Sequence, residues 1–172
     1  MYKKRLECHV KVVVLIVLAI ASSSIAFQAS TYGQTGSEQQ TRGVFVADLE
    51  PRAASNGTGI AILKTQGDDT MSFIVNGSGI ADVSNIFISQ WSGGRFADLV
   101  TLHSATSDGQ IRGPFNGTIA TGNFTSADFT GRASGRSMLD LVGMIMNEGD
   151  IWVRIGTTAF PIAEIAGRLI VT

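Results

Sequence analysis

The chain of 172 residues holds one cysteine, two histidines and three prolines, and only 16% of its residues are charged. The cysteine, Cys8, and one histidine, His9, fall within the first ten residues. The rest of the chain therefore has little to offer a thiol nucleophile or a transition-metal centre, which need clustered imidazole, thiolate or carboxylate ligands. The charged fraction is well below the usual quarter, and 20 glycines are present. That mix excludes a disordered chain, a coiled coil and a long-helix protein. A formal net charge of −1 offers no basic footprint for nucleic acid. The motifs of common catalytic sites are also absent. There is no Gly-x-Ser-x-Gly elbow, and neither Gly57-x-Gly59 nor Gly77-x-Gly79 continues into a phosphate loop that opens a helix.

What is present begins with an export signal. Lys3, Lys4, Arg5 and Lys11 precede an unbroken apolar run from Val12 to Ala21, and Ser24-Ile25-Ala26 places small residues at the −3 and −1 positions of a cleavage site. Residues 1–26 are expected to be a signal peptide. The rival is an uncleaved membrane anchor, which would carry several serines and Gln28 within the span. Cleavage leaves a chain with 9 basic and 13 acidic residues and no cysteine. Such an exported domain depends on its hydrophobic core rather than on disulfides. Residues 27–42, rich in Gln, Ser, Thr and Gly, have the composition of a polar linker.

From residue 43 onward, short β-rich runs alternate with Gly, Asn, Asp and Ser clusters. The pattern predicts an antiparallel β-sandwich or barrel-like domain over 43–172. Strands are expected at 44–49, 58–64, 70–75, 85–90, 98–103, 115–120, 124–129, 151–157 and 164–171. In the last of these Ile165, Gly167, Leu169 and Val171 share one face, and Glu164, Ala166, Arg168 and Ile170 the other. One segment has the helical period. Met138, Leu141, Val142, Ile145 and Met146 form an apolar stripe in a helix of about 137–148, opened by a capping box of Ser137 and Asp140 and stopped by Gly149. Three stretches look alike: Asn56-Gly57-Thr58-Gly59, Asn76-Gly77-Ser78-Gly79 and Asn116-Gly117-Thr118. They are too short for a true repeat and read as reused Asn-Gly turns.

Asn56, Asn76, Asn116 and Asn123 each stand in an Asn-x-Ser/Thr sequon, where chance would supply roughly one, and are the glycosylation candidates. Trp91-Ser92-Gly93-Gly94-Arg95-Phe96 is the one glycine loop flanked by aromatics, which makes Trp91, Arg95 and Phe96 the candidate ligand loop; packing over the sheet end is the competing role. Arginine outnumbers lysine eight to one after residue 26, but the arginines are scattered along the chain. His103 is the sole histidine of that region and reads as a satisfied polar residue at a strand end. The paired acids Asp68 and Asp69, and Glu148 and Asp150, read as solvated turn carboxylates.

The C-terminal run from Gly149 to Leu169, with Val153, Thr157, Pro161, Glu164, Ile165 and Gly167 in frame, resembles the end of a CHRD domain, the module named after chordin and found in exported proteins. Phe45 to Leu49, Gly57 to Gly59, Gly117 to Ile119 and Asp128-Phe129 extend the likeness over about 44–171. The family frame carries histidines where this chain has Phe87, Ser89 and Gly156. The resemblance implies an extracellular β-rich module without an assigned catalytic activity. The combined expectation is an exported cell-surface or secreted interaction module. It has no catalytic residues, no metal and no cofactor, and it meets the membrane only through its N-terminal segment. Its partner would be a protein or glycan at the cell surface. The alternatives are a carbohydrate-binding module using Trp91, Arg95 and Phe96, or a hydrolase using carboxylates near Asp68, Asp98 and Asp150.

Overall fold

The computed structural model describes residues 43–172; the signal and linker assignments lie outside the described residues. Eight strands follow in chain order: β1 (Val44–Pro51), β2 (Thr58–Thr65), β3 (Thr70–Ser92), β4 (Arg95–Ser104), β5 (Ile111–Thr125), β6 (Ile151–Thr157), β7 (Ile165–Arg168) and β8 (Ile170–Val171). Among the described residues one α-helix, α1 (Met138–Asn147), precedes β6. Every pairing between strands is antiparallel, and the circuit β1–β2–β3–β6–β7–β1 closes a five-stranded barrel. Closure removes edges from the circuit itself, while β4 and β5 lie off it and each pair only with β3.

The spine is β3, 23 residues long. Its first half pairs with β2 and β5, and its second half with β6 and β4. Sequence patterning predicts two strands here, 70–75 and 85–90. The chain instead runs through the intervening glycines as one strand, with register shifts from Val75 to Asn85 and a positive φ at Gly79 and Asp82 that take up the bend. The run 115–120 lies within β5, but of the run expected at 124–129 only Phe124 and Thr125 do, because β5 ends at Thr125; Ser126–Asp128 is instead a 3₁₀ turn closed by the Asp128 carboxylate on the Thr125 N–H.

Alternation sets the core. Met71, Phe73 and Val75 from β3, Ala61 and Leu63 from β2, and Ile151, Val153 and Ile155 from β6 all point inward and are buried. The helix covers one side of this core with Met138, Leu141, Val142, Met144 and Ile145. Ser137 accepts the Asp140 N–H and Asp140 accepts the Ser137 N–H, so the capping box forms with aspartate as its acid. Met146, expected on the apolar stripe, is 56% exposed, and Met144 takes its place. The last strand is interrupted at Leu169, which is buried while Arg168 beside it is exposed.

Candidate functional site

On β3 and β6 the residues that alternate with the core face the other way. Phe87, Ser89 and Trp91 lie between the buried positions of β3, as Trp152 and Arg154 do on β6. Register sets Phe87 opposite Arg154, Ser89 opposite both Trp152 and Asp98, and Trp91 opposite Phe96. The β3–β4 connection is a two-residue turn, Gly93-Gly94, with φ of +60° and +80°. Two successive positive φ values demand glycine and make the tight hairpin that brings Trp91 and Phe96 together. Their ring centroids are 4.7 Å apart, edge to face, and Phe96 stands 6.3 Å from Trp152 in the same manner.

Arg154 is the fixed point of this face. Its guanidinium is buried, with Nε donating to Ser89 Oγ (2.9 Å), Nη2 to Asp98 Oδ1 (2.6 Å) and Nη1 to the Ile162 carbonyl. Ser89 in turn donates to Asp98 Oδ1 (2.8 Å). The guanidinium plane also lies over Phe87, 4.4 Å from its centroid. A buried guanidinium with three of its N–H groups held by a carboxylate, a hydroxyl and a carbonyl is charge-paired and fixed in place. Arg154 therefore anchors the face and does not offer a free charge.

The chain between β6 and β7 folds back over this face. Gly156 permits it, because a Cβ there would sit 2.4 Å from the Pro161 carbonyl oxygen and 2.4 Å from Asn85 Oδ1. Glu164 pins the far end. Its carboxylate accepts hydrogen bonds from Ser55 Oγ and Thr157 Oγ1, both 2.6 Å, and its carbonyl accepts the Arg52 N–H at 2.8 Å. Glu164, expected on the solvent side of its strand, is thus buried as the joint between two loops. That joint places Arg52 with its guanidinium 4.4 Å above the Trp152 ring.

The result is a cleft of about 1010 Å³ outside the barrel. Trp91, Arg95 and Phe96, the loop singled out by sequence, all line it. So do Arg52, Phe87, Trp152 and Arg154, which sequence reading left unassigned, with Pro161 to Ala163 as the far wall. Three of the eight scattered arginines meet here. The legible signal was the alternation Trp152-x-Arg154 beside Phe87. Nothing in the linear pattern placed Arg52 with them. Among the described residues the carboxylate contacts at ion-pair distance are Arg154–Asp98 and His103–Asp108, so neither Arg52 nor Arg95 has a carboxylate partner.

The remaining candidates lie elsewhere. Asp68 is in the β2–β3 turn, Asp150 precedes β6 with its carbonyl accepting the Trp91 N–H, and Asp98 is engaged by Arg154, so the three acids do not share the cleft. His103 and Asp108 line a second, smaller cavity of about 500 Å³. His103 Nδ1 is 3.6 Å from Asp108 Oδ2, while its buried Nε2 has no partner among the described residues, so this histidine is less satisfied than expected. The Ser104 N–H, with the Ser107 hydroxyl and His103 adding to it, holds the Asp108 carboxyl below its ordinary value. No group of three His, Cys, Asp or Glu side chains among the described residues is placed to hold a metal ion. No helix among them is long and apolar enough to cross a membrane.

The sequons correct the turn reading. Asn56 precedes β2, but Asn76-Gly77 and Asn116-Gly117 lie inside β3 and β5. They stand side by side, with Thr58, Ser78 and Asn116 in one lateral row and Gly59, Gly77 and Gly117 in the next. Thr118 Oγ1 donates to Asn76 Oδ1 (2.8 Å) and Ser78 Oγ to Asn116 Oδ1 (2.6 Å), so each of these two sequons has its hydroxyl bound to the other's asparagine. Asn56 and Asn123 are exposed. In comparisons with protein-family models, curated proteins and solved structures, the chain matches none of them.

Proposed function

We propose that this chain is an exported, non-catalytic binding module of the cell surface or secreted space, and that the aromatic–arginine cleft receives its ligand. The observation that carries the reading is the convergence on one face of four aromatic side chains and three arginines drawn from residues 52 to 154. Its volume is of the order expected of small-molecule sites, about 300–1,000 Å³, which are mostly apolar with a few placed polar groups. The framework is rigid: a barrel strand on each side, a double-glycine hairpin and a loop clamped through Glu164. Export rests on the N-terminal pattern of residues 1–26, and the surface-module role agrees with the CHRD-like frame. A hydrolase built on Asp68, Asp98 and Asp150 has less support, because Asp98 is spent on Arg154 and the other two lie outside the cleft.

The chain has two tryptophans, and both line the cleft. Their two indole N–H resonances in a ¹H–¹⁵N spectrum report on it directly. Screening a set of small fragments of mixed charge should yield binders that shift both indole signals, and Trp91→Ala should weaken them. Binders that leave both signals unmoved, or an empty screen, would overturn the reading.

A further inference from the structure

We infer that the cleft selects an amphiphilic anion: a carboxylate carried on a flat apolar or aromatic body. This rests on the cleft being the binding site, and it adds the chemical class of the ligand. The polar side chains that line the cleft are three arginines and two tryptophans. Guanidinium and indole groups donate hydrogen bonds and accept none. Several nearby acceptors already take part in hydrogen bonds, although Asp98 does so through Oδ1 alone. Asp98 and the Ile162 carbonyl hold Arg154, and the Pro161 carbonyl accepts Asn85 Nδ2 at 3.2 Å.

A neutral sugar brings hydroxyls that must both donate and accept, and a donor-only wall leaves its protons without partners. A carboxylate brings acceptors alone. Arg52 and Arg95 answer it, since both are exposed cations without a carboxylate partner among the described residues. Arg154 does not, because its charge is already paired with Asp98. A planar guanidinium binds a carboxylate through two parallel hydrogen bonds, which a lysine cannot match. Trp152 contributes ring surface to the cleft. Its indole Nε1 is buried and has no partner among the described residues, an uncommon state for a buried N–H. Between these donors lie the faces and edges of Trp91, Phe96 and Phe87, which supply contact area to an apolar body but no specificity for a hydroxyl pattern. The carbohydrate alternative therefore narrows to acidic sugars, and these fit less well than a compact aryl acid because their remaining hydroxyls still lack acceptors.

The test is titration calorimetry of the purified protein at low salt with four probes: 2-naphthoate, its neutral counterpart 2-naphthylmethanol, trigalacturonate and maltotriose. Naphthoate should bind at least about tenfold more tightly than the alcohol, the scale of one charge-assisted contact. Arg52→Gln and Arg95→Gln should each weaken naphthoate about tenfold while changing the alcohol less than about twofold. Both arginines are exposed, so the folded domain should survive these changes. Equal affinity for naphthoate and the alcohol would overturn the anion inference while leaving the binding-module reading in place. Preference for either oligosaccharide over naphthoate, indifference to both arginine substitutions, or failure of naphthoate to bind would each overturn it as well. The fragment screen on the indole signals decides the broader reading separately.

Discussion

The two halves of β3 present different outer surfaces from the same alternating backbone. In the first half the outward residues are Ser72, Ile74, Asn76 and Ser78, flanked by Thr58, Ile60, Ile62 and Lys64 of β2 and by Asn116, Thr118, Thr121 and Asn123 of β5. Their hydroxyls and amides bond one another across the strands. In the second half the outward residues are Phe87, Ser89 and Trp91, beside Arg154, Trp152 and Phe96. There one arginine is paired with a carboxylate and two have none among the described residues. One surface satisfies itself and the other holds unspent donors above aromatic walls. Alternation decides which residues face outward, but the neighbouring strands decide whether those residues are satisfied. An unsatisfied, concave surface is the one with binding free energy to give.

The largest expected effect lies beneath both surfaces, in the core they share. Leu169 is 1% exposed, and Leu169→Ala should lower stability by about 2–5 kcal/mol in urea unfolding. Arg168→Ser, one residue away on the exposed side, should cost less than about 1 kcal/mol; equal losses would show that the register of this run is wrong. Next comes the cleft. Asp98→Ala would leave the Arg154 guanidinium without its carboxylate and should cost about 3 kcal/mol, the lower end for a broken buried pair because the Asp98 side chain is partly exposed.

The self-satisfied surface should respond less to the loss of a polar group. Asn116→Ala removes one cross-strand hydrogen bond in an exposed setting and should cost about 1 kcal/mol or less. It should respond more to the loss of a glycine. A Cβ at Gly77 would come 2.4 Å from Ile119 Cδ1 and 3.1 Å from Ile80 Cδ1. Gly77→Ala should therefore destabilise by about 1–3 kcal/mol through overpacking, more than Asn116→Ala. The reverse order would mean that the polar ladder, rather than close approach of the strands, holds this half together.

The smallest effect is electrostatic and tests neither surface, which makes it a useful control. Hydrogen bonds from the Ser137 N–H and then its hydroxyl hold the Asp140 carboxyl below its ordinary value of 3.8. The Ser104 N–H does the same for Asp108. A carboxyl depressed in the folded state contributes stability that is complete above its unfolded value and is lost as pH falls below that value toward the folded one. Circular dichroism between pH 5 and pH 2 should therefore show less acid sensitivity for Asp140→Asn than for the parent. An unchanged acid limb would show that the capping contact does not form in solution.

Much of this fold was legible because its signals are local. Alternation put Ile165 and Leu169 on one face, and both are buried, while a 3.6-residue period with Ser137, Asp140 and Gly149 marked the helix. The errors fell where long-range neighbours override local chemistry. Asn76-Gly77 has the composition of a hairpin turn, yet it lies mid-strand beside Gly59 and Gly117, where a Cβ at Gly59 would come 2.5 Å from the Asn76 carbonyl oxygen and Gly117 holds a φ of +134°. Glu164 alternates with core residues and so reads as solvated, yet Ser55 and Thr157 supply the hydroxyls that allow its burial.

The sequence by itself determined the β class, the capped helix over 138–147 and the glycine loop flanked by Trp91 and Phe96, because each depends on residues within one or two turns of chain. The tertiary structure alone decided that Arg52, Arg95 and Arg154 meet, that Asp98 neutralises only the last of them, and that Trp152 and Phe87 complete the wall begun by Trp91 and Phe96. The physical reason is barrel closure. It brings together side chains more than a hundred residues apart, and whether a guanidinium is spent or free depends on which carboxylate that closure sets beside it.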